Sequence, residues 1–130
     1  MKKKLMTADE AVKLVHSGAT VTACGISGGI TPDKVMEALG RRFSKTGEPG
    51  KLKMVLPTAV GDGYDILGME HLAQDGMLSR IIAGSFTIAR STEKPPKIYE
   101  MIINNRIEAY NVPIGTLMEL MREIAAKRPG

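Results

Sequence analysis

Cysteine, histidine and long apolar runs are scarce in this chain, and each scarcity removes a class of function. Its single cysteine, Cys24, leaves no intrachain disulfide to form. With only His16 and His71 beside it, no zinc-ligand spacing can be assembled from thiols and imidazoles, and no metal site is expected. No segment approaches ~18 uninterrupted apolar residues, the length a membrane-spanning helix needs, so no membrane partner is expected. The opening Met1-Lys2-Lys3-Lys4-Leu5-Met6 has the charge of a signal-peptide start, but Asp9, Glu10 and Lys13 interrupt any apolar stretch behind it. A cytoplasmic location is the expectation. The chain also lacks a basic stripe: 18 Lys plus Arg stand against 14 Asp plus Glu, scattered apart from Lys2 to Lys4, and nucleic acid is not an expected partner. The net charge of +4 does favour encounters with anionic small molecules.

What is present is an ordinary globular composition, 43% apolar and 25% charged over 130 residues, which is one domain's worth of protein. Thr7-Ala8-Asp9-Glu10 is a capping box, and Ala8, Ala11, Val12 and Val15 continue it as a helix up to Gly18. A β-rich run, Ala19 to Cys24, leads into the glycine-dense stretch Gly25 to Thr31. Pro32, with Thr31 as N-cap, starts a helix whose buried stripe is Val35, Met36, Leu39 and Phe43. Further strands are expected at Leu52 to Leu56, Arg80 to Ala83 and Glu108 to Val112. Helices are expected at Met69 to Ala73, Lys97 to about Asn104, and Ile114 to Lys127 with Leu117, Leu120, Met121 and Ile124 inward. Strands thus open about every 27 to 33 residues, the rhythm of successive βαβ units. The fold class is α/β, an open and mainly parallel sheet with helices on both faces, in one unit spanning residues 1–130 that reads as the first part of something longer.

In such a sheet the ligand site lies beyond the carboxyl ends of the strands, which makes the first βα loop the leading candidate. Gly25, Ser27, Gly28 and Gly29 would bring backbone N–H groups close to an anion or oxyanion, and at least one of the three glycines is expected at φ > 0. The alternative is a tight turn with no ligand. The loop is neither a G-x-G-x-x-G nor a G-K-[ST] motif, so neither the dinucleotide nor the P-loop fingerprint is met. Gly61-Asp62-Gly63 is a second candidate loop, where Asp62 either orients a ligand or closes an Asx-turn. Cys24 reads as a small buried hydrophobe at a strand end, His16 as a helix-end residue and His71 as a structural hydrogen-bonding residue. The nine methionines read as core filler, and the glutamates, Glu70 among them, as residues of solvated faces and loops.

The run Ser17-Gly18-Ala19-Thr20-Val21-Thr22-Ala23-Cys24-Gly25-Ile26-Ser27-Gly28-Gly29-Ile30-Thr31-Pro32 resembles the family I coenzyme A transferase signature, (D/N)-G-x-x, three aliphatics, G-G-F-x-x-x-G-x-P. Cys24 stands for its first glycine, Ile26 for its phenylalanine and Ile30 for its late glycine. Lys45 to Pro49, Leu52 to Leu56, Gly61 to Gly63, His71, Gly76 to Gly84 and Ile107 to Pro113 are similar to the amino-terminal half of the single-chain acetate or propionate branch. The resemblance implies a glutamate that attacks an acyl-CoA thioester, becomes a glutamyl-CoA thioester, and passes CoA to a carboxylate acceptor. Coenzyme A is then a substrate, alongside acyl-CoA and small carboxylates, and no resident cofactor is implied. The family's nucleophile sits in a Ser-Glu-Asn-Gly segment of its second half, and this sequence contains none, so no catalytic residue is assigned here. After the fourth strand the family has Pro-Gln-Gly, whose amide is an oxyanion donor; this chain has Pro113-Ile114-Gly115, and isoleucine cannot donate.

The resemblance therefore implies an amino-terminal portion that supplies a glycine loop and part of a CoA cleft, is inactive alone, and pairs with a complementary carboxy-terminal half. A homo-oligomer is also expected, with Tyr64, Ile66, Leu67, Phe86 and Ile88 as apolar residues left for an interface. Two other readings stay open: a sugar-phosphate isomerase or deaminase on a related scaffold, and a non-catalytic partner-binding module.

Overall fold

The computed structural model describes residues 5–26, 28–62, 65–86 and 95–129. Its elements run α1 (Ala8–Ala11), a 3-10 turn (Val12–Leu14), β1 (Thr20–Thr22), α2 (Asp33–Thr46), β2 (Leu52–Leu56), a 3-10 helix (Gly68–Leu72), β3 (Leu78–Ala83), α3 (Lys97–Ile103), β4 (Glu108–Asn111) and α4 (Ile114–Ala126). The four strands form one parallel sheet in the order β1-β2-β3-β4. Each crossover steps one strand in the same direction, and right-handed connections then place α2, the 3-10 helix and α3 on one face. That face carries the core: Leu52, Met54, Leu56 and Ile81 lie against Met36, Leu39, Met69, Leu72, Ile98 and Met101. α4 lies on the other face, where Met121, Ile124 and Ala125 meet Thr20, Thr22 and Val55. The open, parallel α/β sheet with helices on both faces is as expected. No described helix is long and apolar enough to cross a membrane.

The edges of elements differ from the sequence reading in instructive ways. The capping box forms in full: Glu10 N–H donates to Thr7 Oγ1 at 3.2 Å, and Thr7 N–H to Glu10 Oε2 at 2.8 Å. The helix it starts does not reach Gly18; it tightens into a 3-10 turn and Val15 is already extended. β1 is three residues rather than six, because it is an edge strand paired on one side only and its ladder to Lys53–Val55 ends at Thr22. Pro32, rather than Thr31, sits at the N-cap of α2, with ψ 54° and outside the helix. Proline fixes φ but leaves ψ free, so it can stand one residue early. Along α4 only Leu117 is buried; Leu120 and Met121 are half-buried, and Ile124 is 56% exposed rather than inward. Among the described residues, the outer edges of β1 and β4 carry no strand partner.

Candidate functional site

The first βα loop folds into a tight reversal. Ile26 and Gly29 exchange both backbone bonds, Ile26 N–H to Gly29 O at 3.0 Å and Gly29 N–H to Ile26 O at 2.8 Å. None of Gly25, Gly28 and Gly29 has a left-handed φ, contrary to expectation. The left-handed residue is Ile30, at φ 58° and 92% exposed. For a β-branched residue this is an outlier that costs on the order of 1–3 kcal/mol and persists only where the surroundings impose it.

The glycines are needed for size instead. A Cβ on Gly28 would lie 2.7 Å from Asp62 Oδ2, one on Gly25 3.1 Å from Thr31 Oγ1 and Val60 Cγ1, and one on Gly29 3.3 Å from Ile26 O. The structure thus brings the two candidate loops together, with Gly28 against Asp62. Ser27 and Gly63 lie outside the described residues, as do Tyr64 and Ile88.

Asp62 closes its own loop. Its Oδ1 accepts Ile66 N–H at 3.0 Å while its N–H donates to Ile66 O at 2.8 Å. The loop's base is drawn tight by Met69 N–H to Val60 O at 3.1 Å, with Gly61 at φ 114° and Gly68 at φ 53°. A side chain on Gly68 would meet Val60 O at 2.1 Å, so both the conformation and the space require glycine there.

Two clamps hold this region, and both use residues far apart in sequence. Asp33 Oδ1, at the start of α2, accepts Gly68 N–H at 2.7 Å and faces His71 Nε2 at 3.1 Å. Both side chains are mostly buried, at 16% exposed for His71 and 17% for Asp33. His71 therefore has the structural bond expected of it, but to a carboxylate 38 residues earlier. Glu70 is not a solvated residue: Oε2 accepts Lys97 N–H at 2.9 Å and Oε1 accepts Ile98 N–H at 3.0 Å, satisfying the first orphan donors of α3. Cys24 is exposed rather than buried, because β1 ends before it. His16 lies beyond the end of the 3-10 turn and is exposed.

Farther along the same carboxyl edge, Val112 N–H donates to Ala83 O at 3.0 Å and leads into Pro113. A Cβ on Gly84 would lie 2.3 Å from Pro57 O and 2.6 Å from Ile114 Cγ1, so Ile114 packs on the end of β3. Around Gly115 there is nothing within 4 Å of where a Cβ would stand. Gly25 and Gly28 thus face Val60 and Asp62 beyond β1 and β2, and Ile114 lies against Gly84 beyond β3.

A family model for coenzyme A transferases matches residues 5–130. The chain belongs to the coenzyme A transferase family. Among its relatives in that family, the acetate CoA-transferase YdiF of Escherichia coli K12 is 33% identical over 127 residues, covering 97% of this chain. The caffeate CoA-transferase of Acetobacterium woodii is 32% identical and covers 98%. This coenzyme A transferase chain spans 23% of the length of either relative. The acyl-CoA transferase YdiF of E. coli O157:H7, solved as a thioester complex with CoA, superposes with a TM-score of 0.83 at 31% identity, over 96% of this chain and 23% of that one. The decarboxylase AibA/AibB shares the fold, with a TM-score of 0.68 at 15% identity over 95% of this chain and 44% of that one.

Proposed function

We propose that the chain is the amino-terminal portion of an acyl-CoA:carboxylate CoA-transferase acting on short-chain acyl-CoA in the cytoplasm. The observation that carries this reading is the unbroken match over residues 5–130 together with superposition on a relative captured as a CoA thioester. In this reading the Gly25–Thr31 loop, braced by Asp62 through Gly28, forms one wall of the CoA cleft. Pro113 and Gly115 form a second wall above β4. The nucleophilic glutamate comes from the complementary carboxy-terminal half: its carboxylate attacks the thioester carbonyl, and CoA is then carried as a glutamyl thioester to the acceptor carboxylate.

Two features of the loop weigh against the sugar-phosphate alternative. Asp33, its carboxylate turned to Gly68 and His71, stands in the first turn of α2 and Asp62 lies against Gly28, so the helix start and the loop beside it each carry a negative charge. Asp33 also opposes the anion affinity that a bare helix start would have.

Pure chain assayed with acetyl-CoA or propionyl-CoA and a carboxylate acceptor is expected to show no turnover, and turnover that survives separate replacement of each glutamate would overturn the mechanism. Ile114 supplies no oxyanion donor. In an assembled enzyme carrying this chain, Ile114→Gln should raise kcat by about 10²- to 10³-fold, the usual worth of one such donor. No gain on that substitution would show that another group already fills the role.

A further inference from the structure

On the outer side of α2, away from the loops just described, a groove of about 300 Å³ lies between the first helical segment and α2. Asp9, Val12, Lys13, Ala38, Arg41, Arg42, Lys45 and Thr46 line it, giving four cations, one carboxylate and a surplus of three positive charges. The cations stand on both walls: Lys13 on the 3-10 turn, and Arg41, Arg42 and Lys45 on α2. Their charges are unequally spent. Arg41 is neutralised by Asp9 at 2.6 Å and approached by Glu37 at 3.6 Å. Lys13 feels Glu10, whose carboxylate is held by Thr7.

Arg42 is different. Its Nη1 donates to Val12 O at 2.6 Å and Val15 O at 2.8 Å, which immobilises the guanidinium through neutral acceptors and leaves its charge uncompensated. It is half-buried, and neither it nor Lys45 has a carboxylate partner among the described residues. A fixed cation beside an apolar floor of Val12 and Ala38, with lysines reaching in from opposite sides, concentrates field in a concave space. An isolated surface lysine needs no ligand; a pre-positioned guanidinium with an ammonium group on each wall matches a group that offers several oxygens at once.

We infer that this groove binds a small phosphate-bearing anion of the diphosphate kind. Arg42 supplies the fixed donor, and Lys13 and Lys45 close from the two walls. The site is separate from the glycine loop, since Arg41 to Lys45 lie roughly 12–18 Å along α2 from its start at the helical rise per residue. It stands independently of the transferase reading.

The test is titration of the 130-residue chain with inorganic pyrophosphate at constant ionic strength, followed by calorimetry and by amide NMR shifts. Saturable binding in the millimolar range or tighter, with shifts centred on Lys13 and residues 41–46, is expected. The double variant Lys13→Gln/Lys45→Gln leaves the Arg42 bonds intact and should weaken binding by about tenfold, the sum of two modest surface charges. Absence of saturation, shifts centred elsewhere, or a double variant that binds within about twofold of the parent would each overturn the site.

Discussion

The two faces of the sheet are built to different standards. On one, Leu52, Met54, Leu56 and Ile81 are each at most 1% exposed beneath α2, the 3-10 helix and α3. On the other, α4 crosses alone, Tyr110 remains 48% exposed and Met118 44%, and α4 buries Leu117 only. Both faces have the same four strands and the same pairing, so backbone hydrogen bonding does not make the difference; coverage does. The first face holds the fold together, and the second has surface left to bury.

The largest expected effect tests the first half of that contrast. Ile81→Ala should lower stability by about 2–5 kcal/mol, as loss of a fully buried branched side chain does, with Ile124→Ala near ~0.5 kcal/mol or less. Urea midpoints of the two variants measure it, and equal losses would break the comparison. Next in size, the isolated chain should associate at micromolar concentration through the α4 face, and Met118→Glu with Ile124→Glu should shift it toward monomer. Sedimentation velocity reads this, and a concentration-independent monomer at the outset would mean the second face is adequately finished by α4. Of the loop residues expected to serve an interface, Leu67 is exposed while Ile66 and Phe86 are half-buried.

Gly28→Ala comes third. Its methyl would press on Asp62 Oδ2, and because that atom ends a side chain the loop can yield, the stability loss should stay near ~1 kcal/mol. The amide shifts of Asp62 and Ile66 should move while those of β3 do not.

The smallest effect lies on the exposed rim of the second face. Arg80 Nε donates to Glu108 Oε2 at 2.6 Å and Tyr110 Oη donates to Glu108 Oε1, and these bonds hold the Glu108 carboxyl below its ordinary range. A lowered folded-state value means the contribution is complete above the ordinary carboxylate range and is lost as pH falls through the lowered value. All three groups are solvent-exposed, so Arg80→Ala should shift the urea midpoint only slightly near neutrality, less at high salt, and not at all in acid.

The periodic elements were legible in the sequence because their signal is local. Leu52 to Leu56 and the capping box at Thr7 each state their structure within a few residues, as do Met36 and Leu39 of the α2 stripe, whereas Val35 of that stripe is 42% exposed and Phe43 only half-buried. Of the candidate site, the approach of the two glycine loops is a structural fact, Gly28 standing against Asp62. Its fine structure was not legible in the sequence, because it depends on partners about 30 or more residues away. Nothing near Gly28 announces Asp62, nothing near His71 announces Asp33, and Glu70 meets the start of α3 only once the sheet has formed. In the first βα loop a glycine-dense stretch predicts unusual φ at glycine, whereas Gly25, Gly28 and Gly29 make room and the unusual φ falls on Ile30.

The open edges of the sheet decide what kind of assembly the chain can form. β1 offers three residues, two of them threonines, and β4 offers four, among them Glu108 and Asn111. Edges so short and polar are poor templates for strand addition, which in fibrils needs runs of about six apolar residues without charge. Association should therefore proceed by face-to-face burial of α4 rather than by growth along hydrogen bonds. It should be reversible on dilution, show no lag phase, and leave thioflavin fluorescence unchanged after days at the concentration where the complexes form.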